Sequence, residues 1–557
     1  MKNNRQAGSR AGITRRQLLK GGTAAFLLAG IGLAGCSSST APSGPSSLEE
    51  VSVRLLWTGD SHGQLRPIYH REFYNEAFLQ KNGIKKDSPE AYVSSQVNFL
   101  ELAKRYGKVG GYAHLAALIN QERSAYPDRT LLLDSGDAWY GSAITLMTEG
   151  RAGVEVMNAI GYDAMTLHWE FNLGKETLLQ RIAEANFAVL AQNLVDTDFE
   201  DRILEPSIIK EMNGLRVAVV GEAYPFSLLT TEDRDANPEM RMGYRDVELQ
   251  EEIDRLRQEE GVDLVILLSH MGYAQDKAMA ERLNGVDVIV GGHTHDILWQ
   301  PEQVGETLIL QGGSHGKFLG RLDLEVRDGR VSGFAHQLLP VLAEQIEPDP
   351  AVNELIDALY APFEAEFQRE IGEAGTLLYR RSLFGGTTDA FMTSAYKEIV
   401  TADIGCASGW RFGTTILPGP ITVEDVYNAM KPTPSPLYKA SLSGRTIVQI
   451  MEDNLDNVFN PDPLLRLGGD VTRCAGPKIE LTRDAPREQR TSNITVNGEP
   501  MDETRIYTVA TSGGRTQYRD PEAEATSRPA VEELIDFIQA SPEPITAEPV
   551  QAYREAG

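Results

Sequence analysis

Five short stretches constrain this chain more than anything else in it. They are Gly59-Asp60-Ser61-His62-Gly63, Gly136-Asp137, His168-Trp169-Glu170, Ser269-His270 and Gly291-Gly292-His293-Thr294-His295. Around them run short apolar segments rich in Val, Ile and Leu, at 51–58, 130–133, 188–190, 217–220, 264–268 and 286–290. Runs of that length and composition read as buried strands of an α/β sheet. Helical patterns lie between, at 112–126 and 174–185. Polar residues at strand ends are where open α/β sheets gather ligands.

The residue types narrow the chemistry. Asp-x-His lets a carboxylate and an imidazole converge on one ion, and His-x-His does the same further along. Such mixed ligation suits Mn, Fe or Zn. Five of the chain's nine histidines fall in these stretches, so scattered strand-end polar residues explain them poorly. Five His and two Asp are too many for one ion and fit two ions sharing a carboxylate. Two ions about 3.5–4 Å apart clamp an attacking oxygen and stabilise a tetrahedral oxyanion.

The chain has 557 residues, room for three or four domains at about 150 each. With 53 basic and 80 acidic residues its charge is −27. Nucleic acid is therefore not an expected partner, because non-specific binding needs Lys and Arg on phosphates. Three cysteines exclude a disulfide framework; Cys406 and Cys474 could pair in an oxidising compartment, but spacing does not decide it.

The N-terminus reads as an export signal. The apolar stretch 24–33 is too short for a bilayer, which needs roughly 20 residues. Before it, Thr14-Arg15-Arg16-Gln17-Leu18-Leu19-Lys20 resembles a twin-arginine signal, with Leu18 where Phe is common. Leu33-Ala34-Gly35-Cys36, followed by a Ser/Pro/Gly tether, resembles a lipobox, so a lipid anchor at Cys36 is expected. Removing residues 1–35 leaves 47 basic against 80 acidic residues, a charge of −33.

From 307 to 334 the pattern reads as β-hairpins, with Arg327-Asp328-Gly329-Arg330 as a turn. Residues 349–373 read as one charged amphipathic helix that connects two domains, with a second α/β region from 378 to 545.

The order of the five stretches resembles the calcineurin-like metallophosphoesterases and, with the second region, the two-domain 5′-nucleotidase superfamily. That resemblance implies an α/β fold: an N-terminal four-layer α/β/β/α metallophosphoesterase domain (50–345), a linker helix (346–377) and a smaller C-terminal 5′-nucleotidase-type domain (378–545). Residues 1–35 are then the signal peptide and 36–49 the tether. It also implies that Asp60, His62, Asp137 and His295 hold one ion. Asp137, His168, His270 and His293 hold the other, with Asp137 bridging.

The fourth stretch departs from the nucleotidase pattern Gly-Asn-His-Glu-Phe-Asp. It reads Leu167-His168-Trp169-Glu170-Phe171-Asn172. Anchored on Glu170-Phe171, His168 takes the ligand position, Trp169 replaces a transition-state His, and Asn172 replaces that residue's Asp partner. A register shifted by one keeps His168 as that His but puts Leu167 at a metal. Glu170 is expected to support the site through hydrogen bonds rather than to bind metal. In the second region Ser408-Gly409-Trp410-Arg411-Phe412-Gly413 keeps an arginine able to grip an anion, and Gly513-Gly514-Arg515 puts a cation where nucleotidases carry an acid.

Together these features resemble the SoxB branch, the thiosulfohydrolases of bacterial sulfur oxidation. Its signature matches are 57–65, 168–171 and 269–276. The resemblance implies two Mn2+, with Zn or Fe as alternatives, and release of sulfate from a cysteine S-thiosulfonate on the SoxYZ carrier protein. It implies a monomer in the periplasm, with Trp169 and Arg411 as catalytic-site residues. Arg411 is either an oxyanion clamp or a salt-bridge residue, and Arg515 poses the same choice. Trp169 is either a pocket wall or core. Asp296 either orients His295 or caps a turn. His315 is a candidate support residue, while His70, His114 and His336 read as structural. A periplasmic 5′-nucleotidase, or a lipoprotein using the metals only structurally or to bind an anion, stays open as an alternative.

Overall fold

The computed structural model describes residues 48, 50–231, 235–513 and 520–555. The signal segment, Cys36 and Arg515 lie outside the described residues. Among the described residues, no helix is long and apolar enough to cross a membrane.

Two six-stranded sheets form the first half. In one, Val53–Thr58, Thr130–Asp134, Ala164–Met165 and Ala188–Val189 run parallel in that order. The antiparallel hairpin Phe318–Arg327/Arg330–Pro340 extends it beyond Val53–Thr58, turning at Asp328-Gly329 as the sequence predicts. In the other, Leu215–Glu222, Leu264–Ser269, Val288–Gly291 and Thr307–Gln311 are parallel, flanked by antiparallel Ser207–Met212 and Glu302–Val304.

Alternation along the strands explains why these sheets stack. Leu55, Trp57, Leu131 and Leu133 point inward and meet Val217, Val219, Ile266, Leu268 and Val290 of the facing sheet. Leu56, Leu132 and Met165 point outward, under the helices Tyr112–Ala125, Arg151–Ile160 and Lys175–Glu184. Val220, Val265, Leu267 and Ile289 do the same under Asp246–Gln258 and Tyr273–Ala280. Both faces of each sheet are covered, which is why the strands read as unbroken apolar runs. The layers are helix, sheet, sheet, helix. Each buried Leu, Ile or Val contributes about 1.5–3 kcal/mol. Trp57 sits opposite Gly320, where a Cβ would come within 2.1 Å of the indole, so only glycine accommodates the ring.

The helix expected over 349–373 is broken. Asp349 caps Pro350–Tyr360 by accepting from the Ala351 and Val352 N–H groups. Pro362 then stops it, since proline lacks the N–H and crowds the preceding turn. A short turn Glu364–Phe367 and a strand Glu370–Ala374 follow.

The second half centres on a five-stranded sheet in the order Arg473–Ala475, Ile404–Ala407, Ile506–Thr511, Pro436–Ser443, Glu524–Pro529. Its helices are Thr387–Ile399, Val423–Ala429, Gly444–Phe459 and Ala530–Ala540. Cys406 and Cys474 stand directly opposite on antiparallel strands and form a disulfide. That register answers what spacing left open.

Candidate metal centre

All five stretches stand at the carboxyl ends of parallel strands or in the loops just beyond them. The chain turns so sharply there that Asp60, His62, Asp137, His293 and His295 all adopt positive φ, between 50° and 69°. Non-glycine residues rarely do so, and Asp and His tolerate it better than most. Backbone bonds hold the turns: Asp60 N–H to Gly136 O (2.8 Å), His62 N–H to Asp137 O (2.7 Å), and His293 N–H to both Asp60 carboxylate oxygens (3.0 Å).

The turns bring the seven predicted ligands together, all buried. His62 Nε2 lies 3.1 Å from His295 Nε2, which is 3.3 Å from Asp60 Oδ1. His270 Nε2 lies 3.3 Å from Asp137 Oδ2 and 3.7 Å from Asp60 Oδ1. The His168 ring is 5.0 Å from His270 and 4.9 Å from His293. Three groups could each hold an ion: Asp60, His62 and His295; His168, His270 and His293; and Asp60, Asp137 and His270, which lies between them.

Neighbours fix which nitrogen two of the rings present. Ser227 donates to Tyr224 O, so its Oγ accepts from His168 Nδ1–H at 3.0 Å and leaves His168 Nε2 for the centre. His270 Nδ1–H donates to Ser135 O, which turns Nε2 toward the carboxylates. His270 Nε2 and His293 Nε2 are buried without a protein hydrogen-bond partner. Orphaned imidazole nitrogens facing carboxylates are a donor set that fits divalent ions.

The electrostatics agree. Burial lowers His62 to about 4 and His168 to about 3, and holds His293 and His295 well below the ordinary range, which keeps these rings neutral, the form in which imidazole can bind a metal. Burial would lower His270 too, but Asp137 and Asp60 raise it to about 9. Burial pushes Asp137 up, yet His168 and His270 outweigh it and keep the carboxyl ionised.

Glu170 accepts from the N–H groups of Ala138 (2.7 Å), Trp139 (3.2 Å) and His168 (2.8 Å). It orients the ligand loops and is absent from the clusters. Trp169 donates its N–H to Asp137 Oδ1 (2.6 Å), and its ring lies 5.0 Å from His62. It lines a cavity of about 90 Å³ with Trp410, Arg411 and Phe412. Arg411 gives one Nη to His293 O (2.7 Å), and its Nε is 3.5 Å from Asp470. Asn172 donates to Trp169 O (3.1 Å).

Other sequence candidates separate. The Asp296 carboxylate accepts from Tyr74 (3.0 Å). The His315 N–H donates to Asp60 O (2.8 Å), and its ring lies 5.3 Å from His62. His70 contacts Lys317 (3.0 Å), His114 contacts Ile346 O (2.7 Å), and His336 packs against Trp57. The sequence reading missed Tyr224, stacked 4.1 Å from His293, and Gly468, where a Cβ would lie 2.3 Å from His293 Nε2. The pair Gly468-Gly469 was the one available signal for such a close approach.

Comparison with known proteins places this geometry. The 5'-nucleotidase C-terminal domain family matches residues 375–520. The sulfate thiohydrolase SoxB from Thermus thermophilus, solved with glycerol, superposes with a TM-score of 0.86 and 33% identity, covering 92% of this chain and 98% of that one. A 5'-nucleotidase from Vibrio parahaemolyticus is 26% identical over 456 residues, 66% of this chain and 78% of that protein. The trifunctional nucleotide phosphoesterase YfkN from Bacillus subtilis is 27% identical over 452 residues; the match takes in 71% of this chain but only 30% of YfkN. By its likeness over nearly the whole length of SoxB, this chain belongs to the SoxB branch of the 5'-nucleotidase superfamily and is a metal-dependent hydrolase.

Proposed function

We propose that this chain is a thiosulfohydrolase that releases sulfate from a cysteine S-thiosulfonate on a SoxYZ-type carrier protein. The observation that carries the reading is Trp169. The fourth stretch turns His168 into the ligand cluster and leaves an indole, not an imidazole, on the cavity wall. The 33% identity to a sulfate thiohydrolase supports it. So does the aromatic lining of the cavity, where Trp169, Trp410 and Phe412 stand beside Arg411.

When bound, two divalent ions (Mn2+, with Zn or Fe also compatible) supply Lewis-acid stabilisation of a tetrahedral oxyanion. Asp60, His62, Asp137 and His295 would hold one, and Asp137, His168, His270 and His293 the other. The chain's own residues do the rest. Arg411 lines the cavity beside His293 and would meet sulfonate oxygens there. The aromatic walls of Trp169, Trp410 and Phe412 border the cavity on the side of Arg411. In the reaction, water oxygen bonds to the sulfonate sulfur, the bond from that sulfur to its neighbouring sulfur breaks, and the water protons leave with sulfate and to solvent. The persulfide leaves with the electron pair, and there is no net oxidation. A persulfide is a far better leaving group than an alkoxide and needs little protonation. A wall without the His–Asp pair suits that.

The reading includes export by the twin-arginine route to the periplasm, a lipid tether at Cys36, and action as a monomer on the docked carrier. The test is sulfate release from a carrier bearing a cysteine S-thiosulfonate, with AMP hydrolysis beside it. Sulfate without phosphate supports the proposal. Phosphate without sulfate returns the chain to the nucleotidases, the reading favoured by the names of its sequence relatives.

A further inference from the structure

The loop His293-Thr294-His295 carries two candidate ligands, and both have left-handed backbones, with φ of 69° and 56°. Such a conformation persists only where its surroundings over-determine it. Within the first half, the His293 N–H is held by Asp60, and Thr294 Oγ1 accepts from Tyr273 N–H (3.1 Å). The loop's carbonyls are held from elsewhere. Arg411 takes His293 O, and Arg381 Nη2 takes Thr294 O (3.3 Å). Both arginines come from the second half of the chain.

Arg381 is the more deeply built of the two. Its Nε binds Glu72 Oε2 (3.1 Å), and Glu72 is wholly buried and also paired with Lys317 Nζ. Its guanidinium lies over the Phe73 ring at 4.6 Å, and its Nη1 is 3.9 Å from Asp470, which also faces Arg411 and Arg473. A planar fork with two directed hydrogen bonds, to Glu72 and to Thr294 O, is what lysine cannot reproduce.

We propose that Arg381 is a positioning residue for the metal centre: anchored on buried Glu72, it fixes the strained His293–His295 loop from the second half through the Thr294 carbonyl. The inference rests on the metal-centre reading above. It makes ligand geometry depend on how the two halves meet, so disturbing that junction changes ion affinity without touching a ligand.

The test is Mn2+ binding to the chelator-stripped full chain by calorimetry, with thermal unfolding alongside. Arg381→Lys keeps a cation beside Glu72 but loses the directed bond to Thr294 O. It is expected to unfold near the parent temperature and to bind Mn2+ about 10–100-fold more weakly, as loss of ligand-orienting partners does. Glu72→Gln, which frees the anchor, is expected to weaken Mn2+ in the same direction. Parent-like affinity in a folded Arg381→Lys overturns the proposal, even if its unfolding temperature falls. His270→Ala is the control for the centre itself. If it too binds Mn2+ like the parent, the metal-centre reading fails rather than the role of Arg381.

Discussion

Replacing Glu170 by Gln tests how the ligand loops are held. Glu170 is fully buried, with Oε1 accepting from Ala138 and Trp139 and Oε2 from His168. An amide keeps only one acceptor oxygen. Turned so that this oxygen keeps the two bonds at Ala138 and Trp139, it points its NH2 at the His168 N–H, donor against donor. One charge-assisted hydrogen bond is lost, about 1.5–3 kcal/mol. Burial pushes the Glu170 carboxyl up, so removing the charge returns part of that cost. The expected net destabilisation is about 2 kcal/mol. Because the displaced N–H belongs to His168 and its neighbours flank Asp137, Mn2+ affinity should also fall about 10–100-fold. The assay is urea unfolding of the metal-free chain at pH 8 with a parallel Mn2+ titration. A variant within about 0.5 kcal/mol of the parent, with unchanged affinity, would refute the role given to Glu170.

Restoring the nucleotidase pair with Trp169→His and Asn172→Asp should raise phosphomonoesterase activity; no gain with AMP or a generic aryl phosphate counts against the leaving-group argument. Metal binding should be proton-linked. His270, raised to about 9, must lose its proton to become a ligand, so apparent Mn2+ affinity rises with pH up to about 9 and flattens above it. Proton release measured by calorimetry in two buffers checks this, and EDTA should abolish turnover while leaving the chain folded. Reducing the Cys406–Cys474 disulfide, which closes a separation of 68 residues, should cost about 4 kcal/mol in the chain-entropy description. Identical urea midpoints for the oxidised and reduced chain would contradict it.

The candidate metal ligands were legible because their signal is local. A loop after a strand needs Gly beside Asp or His, and a two-residue step is enough to aim two side chains at one ion. The two sheets were legible for a related reason, since strands covered on both faces must be apolar throughout. The connector was misread because its amphipathic pattern ran through Pro362, and the covalent limit of proline outweighs periodicity.

What the sequence could not display is whatever depends on residues far apart in the chain. Glu72, Lys317 and Arg381 form one buried ionic group, yet nothing local marks any of them. Trp169 joins Trp410 and Phe412 in a single wall only because the second half closes over the first. Cys406 meets Cys474 only through strand register. The sequence by itself determined which chemistry the chain can hold, because ligand type and loop geometry are encoded within a few residues. The tertiary structure decided the shape of the cavity around that chemistry and what holds it in place, because those contacts exist only once distant segments share a buried, low-dielectric interior.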